Sequence, residues 1–93
     1  MDRITEKDLA QQVATINRIT GMAATPYSKR ANGEGYTGNI GNYHLDGAYG
    51  GWKLVQMMNE HGGIHEITHG FVSKRELYNR LGAFIAGLQT AKS

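Results

Sequence analysis

The sequence predicts an α+β domain, with two well-capped helices at about 5–20 and 73–90 around a small glycine-rich antiparallel sheet and a short middle helix at about 51–60. Three observations carry this prediction. Apolar residues recur at helical spacing near both ends of the chain. Nine of the thirteen glycines fall between Gly33 and Gly63, and Tyr36, Ile40, Tyr43 and Leu45 among them favour strands. The 93 residues suffice for one modest core, so residues 1–93 read as a single domain.

Thr5 is placed to cap the first helix, with Asp8 three residues on as a short capping box and Ile4 and Leu9 as a hydrophobic staple. Leu9, Val13, Ile16 and Ile19 line one stripe, and Gly21 stands where a left-handed C-cap is wanted. From 22 to 35 the pattern dissolves. Pro26 and the run from Ser28 through Asn32 to Gly35 are turn chemistry and read as a flexible loop. Residues 36–49 read as short strands, with Asn42 and Asp46-Gly47 as turn signals. Gly50-Gly51 then opens the middle helix, with Trp52, Val55 and Met58 on one side, and Gly62-Gly63 stops it. Residues 64–68 read as a short strand. Ser73 caps the last helix, Glu76 completes the box, and Val72 pairs with Leu77 as a staple. Leu77, Leu81, Phe84, Ile85 and Leu88 then form a wide apolar face.

Ten Lys and Arg against eight Asp and Glu leave a net charge of +2. Lys74, Arg75 and Arg80 flank the last helix, and Lys29 and Arg30 lie in the loop. They are interspersed with acids rather than forming a dense basic stripe, so sequence-specific DNA binding is not expected. Cysteine is absent, which excludes disulfides, thiolate zinc sites and a cysteine nucleophile. The N-terminus MDRITEKDLA is charged throughout and does not read as a signal peptide. No apolar run approaches the roughly 20 residues of a membrane span.

Two motifs match enzyme signatures by letter. His65-Glu66-Ile67-Thr68-His69 is H-E-x-x-H, which in zinc hydrolases needs a helix that puts both histidines on one face. Here glycines flank the motif and its residues are β-branched, so a strand fits better; His65, Ile67 and His69 would then share a face opposite Glu66. His65 and His69, with His61, remain weak candidates for metal. Gly33-Glu34-Gly35-Tyr36-Thr37-Gly38 is G-x-G-x-x-G, but it neither follows a buried strand nor opens a helix, as a dinucleotide fingerprint must.

The segment from Asn39 to Leu54 is the chemically unusual one. It gathers amide, imidazole, phenol, indole, carboxylate and ammonium groups among glycines that admit close approach, the make-up of a small-molecule or nucleobase site. Tyr43 and Tyr49 would stack, Asn42 and His44 would hydrogen-bond, and Lys53 or Arg30 would meet an anionic group. Trp52 and the tyrosines are equally suited to be the core's large side chains.

NIGNYHLDGAYGGWKLVQMMNEHGG at 39–63, followed by KRELYNRLGAFIAGL, resembles a family of small proteins encoded by bacteriophages and prophages. The likeness runs from about Thr5 to Leu88 and does not include the region around His65 and His69. It implies an accessory protein of host-takeover or anti-defence type, acting in the cytoplasm of the infected bacterial host, and brings no catalytic residues. The expectation is a non-enzymatic binding module without a cofactor, with a nucleotide-like ligand or a host or phage macromolecule bound at 42–53. Two alternatives stand beside it: a metal-dependent hydrolase or nuclease using His61, His65 and His69, and a structural protein that oligomerises through its last helix.

Overall fold

A computed structural model describes residues 3–31 and 33–92. Met1, Asp2 and Asn32, which entered the readings of the N-terminus and the loop, lie outside them. The described residues form a mixed α+β fold of two helices and two small antiparallel sheets. In chain order these are α1 (Glu6–Thr20), β1 (Tyr27–Lys29), β2 (Tyr36–Gly38), β3 (Tyr43–Ala48), β4 (Gly51–Met57), β5 (Ile64–Glu66) and α2 (Lys74–Lys92). Strands β1 and β2 pair as a separate ribbon, and β3-β4-β5 form a meander.

Helix α1 begins and ends as its sequence dictates. The Asp8 amide donates to the Thr5 hydroxyl at 3.2 Å, and the Asp8 carboxylate accepts the Thr5 amide at 2.8 Å. Two orphan donors of the first turn are thereby satisfied. Gly21 closes the helix at φ 73°, and its amide reaches back to the Arg18 carbonyl. In α2 the Glu76 amide donates to the Ser73 hydroxyl at 3.2 Å. The Glu76 carboxylate turns forward instead, to Arg80 at 2.8 Å.

The middle helix expected at 51–60 is strand β4. Tyr49 and Gly50 both take positive φ, 53° and 72°, as the two central residues of a type I′ hairpin turn must. The chain therefore folds straight back, and Ala48 pairs with Gly51. Trp52 and Val55, which a helical reading puts on one side, lie on opposite faces of the strand, and Met58 is exposed. Asp46-Gly47, expected to be a turn, lies inside β3. Gly47 is there for packing: a Cβ would stand 2.9 Å from the Trp52 ring. The stretch 22–35, expected to be loop throughout, contains β1.

Side chains alternate across each strand. Tyr43, Leu45, Trp52 and Leu54 join Ile4, Leu9, Val13 and Ile16 at the N-terminal end and Leu77 and Leu81 of α2 in one core. Both helices thus cover one sheet face. The broad face of α2 is used here, since Phe84, Ile85 and Leu88 also pack against this core. His44, Asp46, Lys53, Val55 and Met57 occupy the other face. Val55 and Met57 are nonetheless buried, with the Met57 sulfur set against Gly38 of the ribbon. Among the described residues no helix is long and apolar enough to cross a membrane.

Gly47→Ala separates the strand from the turn. A methyl group driven into the indole should destabilise the protein by about 1–3 kcal/mol, read as a fall in thermal midpoint. An exposed turn glycine would tolerate the change far better.

Candidate functional site

Strand β3 is an edge of its sheet, and the hairpin turn determines how that edge is dressed. In an antiparallel pair closed by a two-residue turn, alternate residues bond to the partner strand and the others point away. The bond from the Met57 amide to the Asn42 carbonyl at 2.8 Å sets the same phase at the far end. Asn42, His44, Asp46 and Ala48 therefore bond toward β4, while Tyr43, Leu45 and Gly47 turn their amides and carbonyls outward. On β4 the complementary residues do likewise. Trp52 exchanges bonds with Val72 at 2.8 and 2.9 Å, and the Leu54 carbonyl takes the Ile67 amide at 2.9 Å.

One outward residue of β3 is closed by a side chain. Asn17 of α1, 3% exposed, donates through Nδ2 to the Tyr43 carbonyl at 3.0 Å and accepts the Tyr43 amide on Oδ1 at 2.8 Å. Its amide takes the place of a neighbouring strand for one residue. Beyond it Leu45 and Gly47 have no strand neighbour among the described residues. Alongside runs a groove of about 220 Å³, walled by Ala10, Val13 and Ala14 of α1, by Ala24 after it, and by His44 and Leu45 of β3.

His44, on the sheet face away from the helices, has a defined chemistry. Asn42 is fully buried and donates through Nδ2 to the Ala23 carbonyl at 2.7 Å. A carbonyl can only accept, so the Asn42 oxygen faces His44 Nδ1, 3.1 Å away. Nδ1 must then carry the proton, which leaves Nε2 as an acceptor. Burial lowers the His44 pKa below its ordinary 6.5, against a smaller opposing pull from Asp46.

The other expected site residues are distributed elsewhere. Asn42 cannot touch a ligand. Tyr43, which also lines the groove, sets its ring edge-on to Phe84 at 5.9 Å, and Trp52, half-buried, packs against the core beside Gly47. Lys53 is committed to Glu66 at 2.7 Å and lies 4.5 Å from the centre of the Phe71 ring. Arg30 is not near this segment: it sits in the β1–β2 ribbon, donating from Nε to the Tyr36 carbonyl at 3.3 Å. Tyr49 alone is as open as expected, 95% exposed at the hairpin tip, with Phe71 edge-on to it at 5.6 Å.

The H-E-x-x-H letters lie on β5 and the bend after it. Glu66 is held by Lys53 and by the Gly70 amide at 3.2 Å, with His69 Nδ1 3.3 Å away. The Lys53 and Gly70 hydrogen bonds keep its carboxyl below the ordinary value of 4.5. Among the described residues no three His, Asp or Glu side chains are grouped to hold a metal.

Asn17 and the small residues Ala10 and Ala14 were not among the residues the sequence singled out. A signal existed: Asn17 stands four residues after Val13, a polar residue on the apolar stripe of α1, where it needs a buried partner. The fold and groove define a class, an α+β domain with an apolar trough along an open strand edge. Compared with protein-family models, curated proteins and solved structures, the chain finds no match.

The His44 environment makes stability depend on pH. Burial disfavours the imidazolium, so the folded protein takes up this proton less readily than the unfolded chain, whose histidine titrates near 6.5. This contribution is complete above 6.5 and declines as pH falls through the folded value. Glu66 acts in a lower window, with loss beginning only as pH drops below 4.5. Between about pH 7.5 and 5 the thermal midpoint of the wild type should fall, and His44→Gln should flatten that fall. An NMR titration of His44 should give a midpoint below 6.5.

Proposed function

We propose that this protein is a non-enzymatic binding module that takes an extended segment of a partner protein along the outer edge of β3. The observation that carries the reading is the pair of outward-facing backbone positions at Leu45 and Gly47 beside a trough of small α1 side chains. An open edge offers main-chain hydrogen bonds to an incoming strand, and an adjoining trough receives its alternate side chains. Edges with nothing to cover them are an aggregation liability, and here Asn17 seals one position and stops short of the next two.

Size favours a peptide over a nucleotide at this place. Pockets that enclose small ligands run from about 300 to 1,000 Å³, and the groove has about 220 Å³. Of the rings expected to stack here, Tyr43 is edge-on to Phe84 and Trp52 packs against the core. Tyr49 adds a second argument. A tyrosine at φ 53° carries a conformational cost of about 1–2 kcal/mol and, at 95% exposure, recovers little of it by burial. Such an outlier points to a contact made outside the fold. The resemblance of residues 39–63 to small phage-encoded proteins supports seeking the partner among host or phage components inside the infected cell.

The test selects linear peptides from a displayed library and follows backbone amides by NMR. Peptides that bind should slow hydrogen exchange at Leu45 and Gly47 and lose binding to Ala14→Arg, which fills the trough from an exposed helical position. Selected peptides that leave both amides unchanged would refute the edge. Tyr49→Asn should raise stability by about 1 kcal/mol, because Asn accepts the left-handed conformation, and should weaken peptide binding.

A further inference from the structure

A second place with exposed rings is the β1–β2 ribbon. Register pairs Lys29 with Tyr36 and Tyr27 with Gly38. Paired residues share a face and alternate residues along a strand return to it, so Tyr27, Lys29 and Tyr36 all project from one side. The two rings are 47% and 63% exposed and line an open space of about 430 Å³. The Tyr27 hydroxyl lies beside Gly62, where a Cβ would stand 2.6 Å from it. Arg30 donates to the Tyr36 carbonyl, which brings a second cation to the same end of the ribbon. The root of the ribbon is pinned by Asn39, whose Nδ2 donates to the Thr25 carbonyl and the Ser28 hydroxyl, both at 2.9 Å.

We infer that the β1–β2 ribbon binds single-stranded nucleic acid, with bases stacked on Tyr27 and Tyr36 and adjoining phosphates met by Lys29 and Arg30. Exposed rings interleaved with cations suit a single strand, whose bases offer their faces; a duplex hides them. Glu34 follows in the ribbon loop and Glu60 lies at its root, so net charge by itself would hold a polyanion weakly. Stacking must therefore carry most of the affinity. This site is separate from the β3 edge and does not rest on that reading.

Fluorescence anisotropy with end-labelled oligo-dT and oligo-U of a dozen nucleotides tests it. The protein should bind at low salt, and a tenfold rise in salt should weaken binding roughly 25-fold for two phosphate contacts to a single strand. Tyr36→Ala should weaken it by about 5- to 150-fold with the thermal midpoint unchanged, and Tyr36→Phe should retain it. A preference between the two oligonucleotides identifies DNA or RNA as the natural ligand. No anisotropy change with either strand, equal binding by Tyr36→Ala, or equally effective competition by a duplex of the same length would each overturn the inference.

Discussion

The register of β3 against β4, set by the two left-handed residues Tyr49 and Gly50, is the constraint on which the remainder of the structure depends. It places Leu45 opposite Leu54 and Asp46 opposite Lys53. The apolar pair thereby meets the helices and the charged pair faces away. A slip of β3 by one residue would turn Asp46 toward the helices in place of Leu45, burying it without an adequate partner. Helix packing and strand register therefore enforce each other. The same register decides which amides of β3 bond inward and which are left along the edge.

Two buried asparagines connect this sheet to the rest of the chain. Asn17 and Asn42 are 3% and 0% exposed, and both side-chain amides have hydrogen-bond partners, as burial requires. Asn17 makes α1 in effect a further neighbour of β3 for the length of one residue. Asn42 draws the chain after α1 against the start of β3 and, through the orientation its own amide must take, sets the tautomer of His44. The groove owes one end to the first asparagine.

Aromatic and cationic side chains are divided between two jobs. Tyr43 and Trp52 lie on the helix-facing side of β3 and β4, where a core of this size needs bulk. Tyr27, Tyr36 and Tyr49 lie on ribbon and hairpin positions that the helices do not reach. Lys53 is neutralised by Glu66 within the sheet, while Lys29 and Arg30 project with the ribbon. Composition shows that rings and cations are plentiful; pairing decides which of them solvent, or a ligand, can meet.

By itself the sequence determined the α+β class and the two terminal helices, because capping, the staple and helical periodicity arise from residues within four positions of one another. Thr5 with Asp8, Gly21, and Ser73 with the Glu76 amide act as their spacing requires. Only the tertiary structure decided that 51–57 is a strand, since Trp52, Val55 and Met58 fit a helical stripe as readily and the choice is made by β3 and Val72, which pair with β4 from either side. It likewise decided that Gly47 is a bed for the Trp52 ring and not a turn, and that Asn17 closes an edge 26 positions away in the chain. It moved Arg30 from the central segment to the ribbon. Each of these depends on partners distant in sequence, and the face a strand residue shows is set by its pairing and not by its neighbours along the chain.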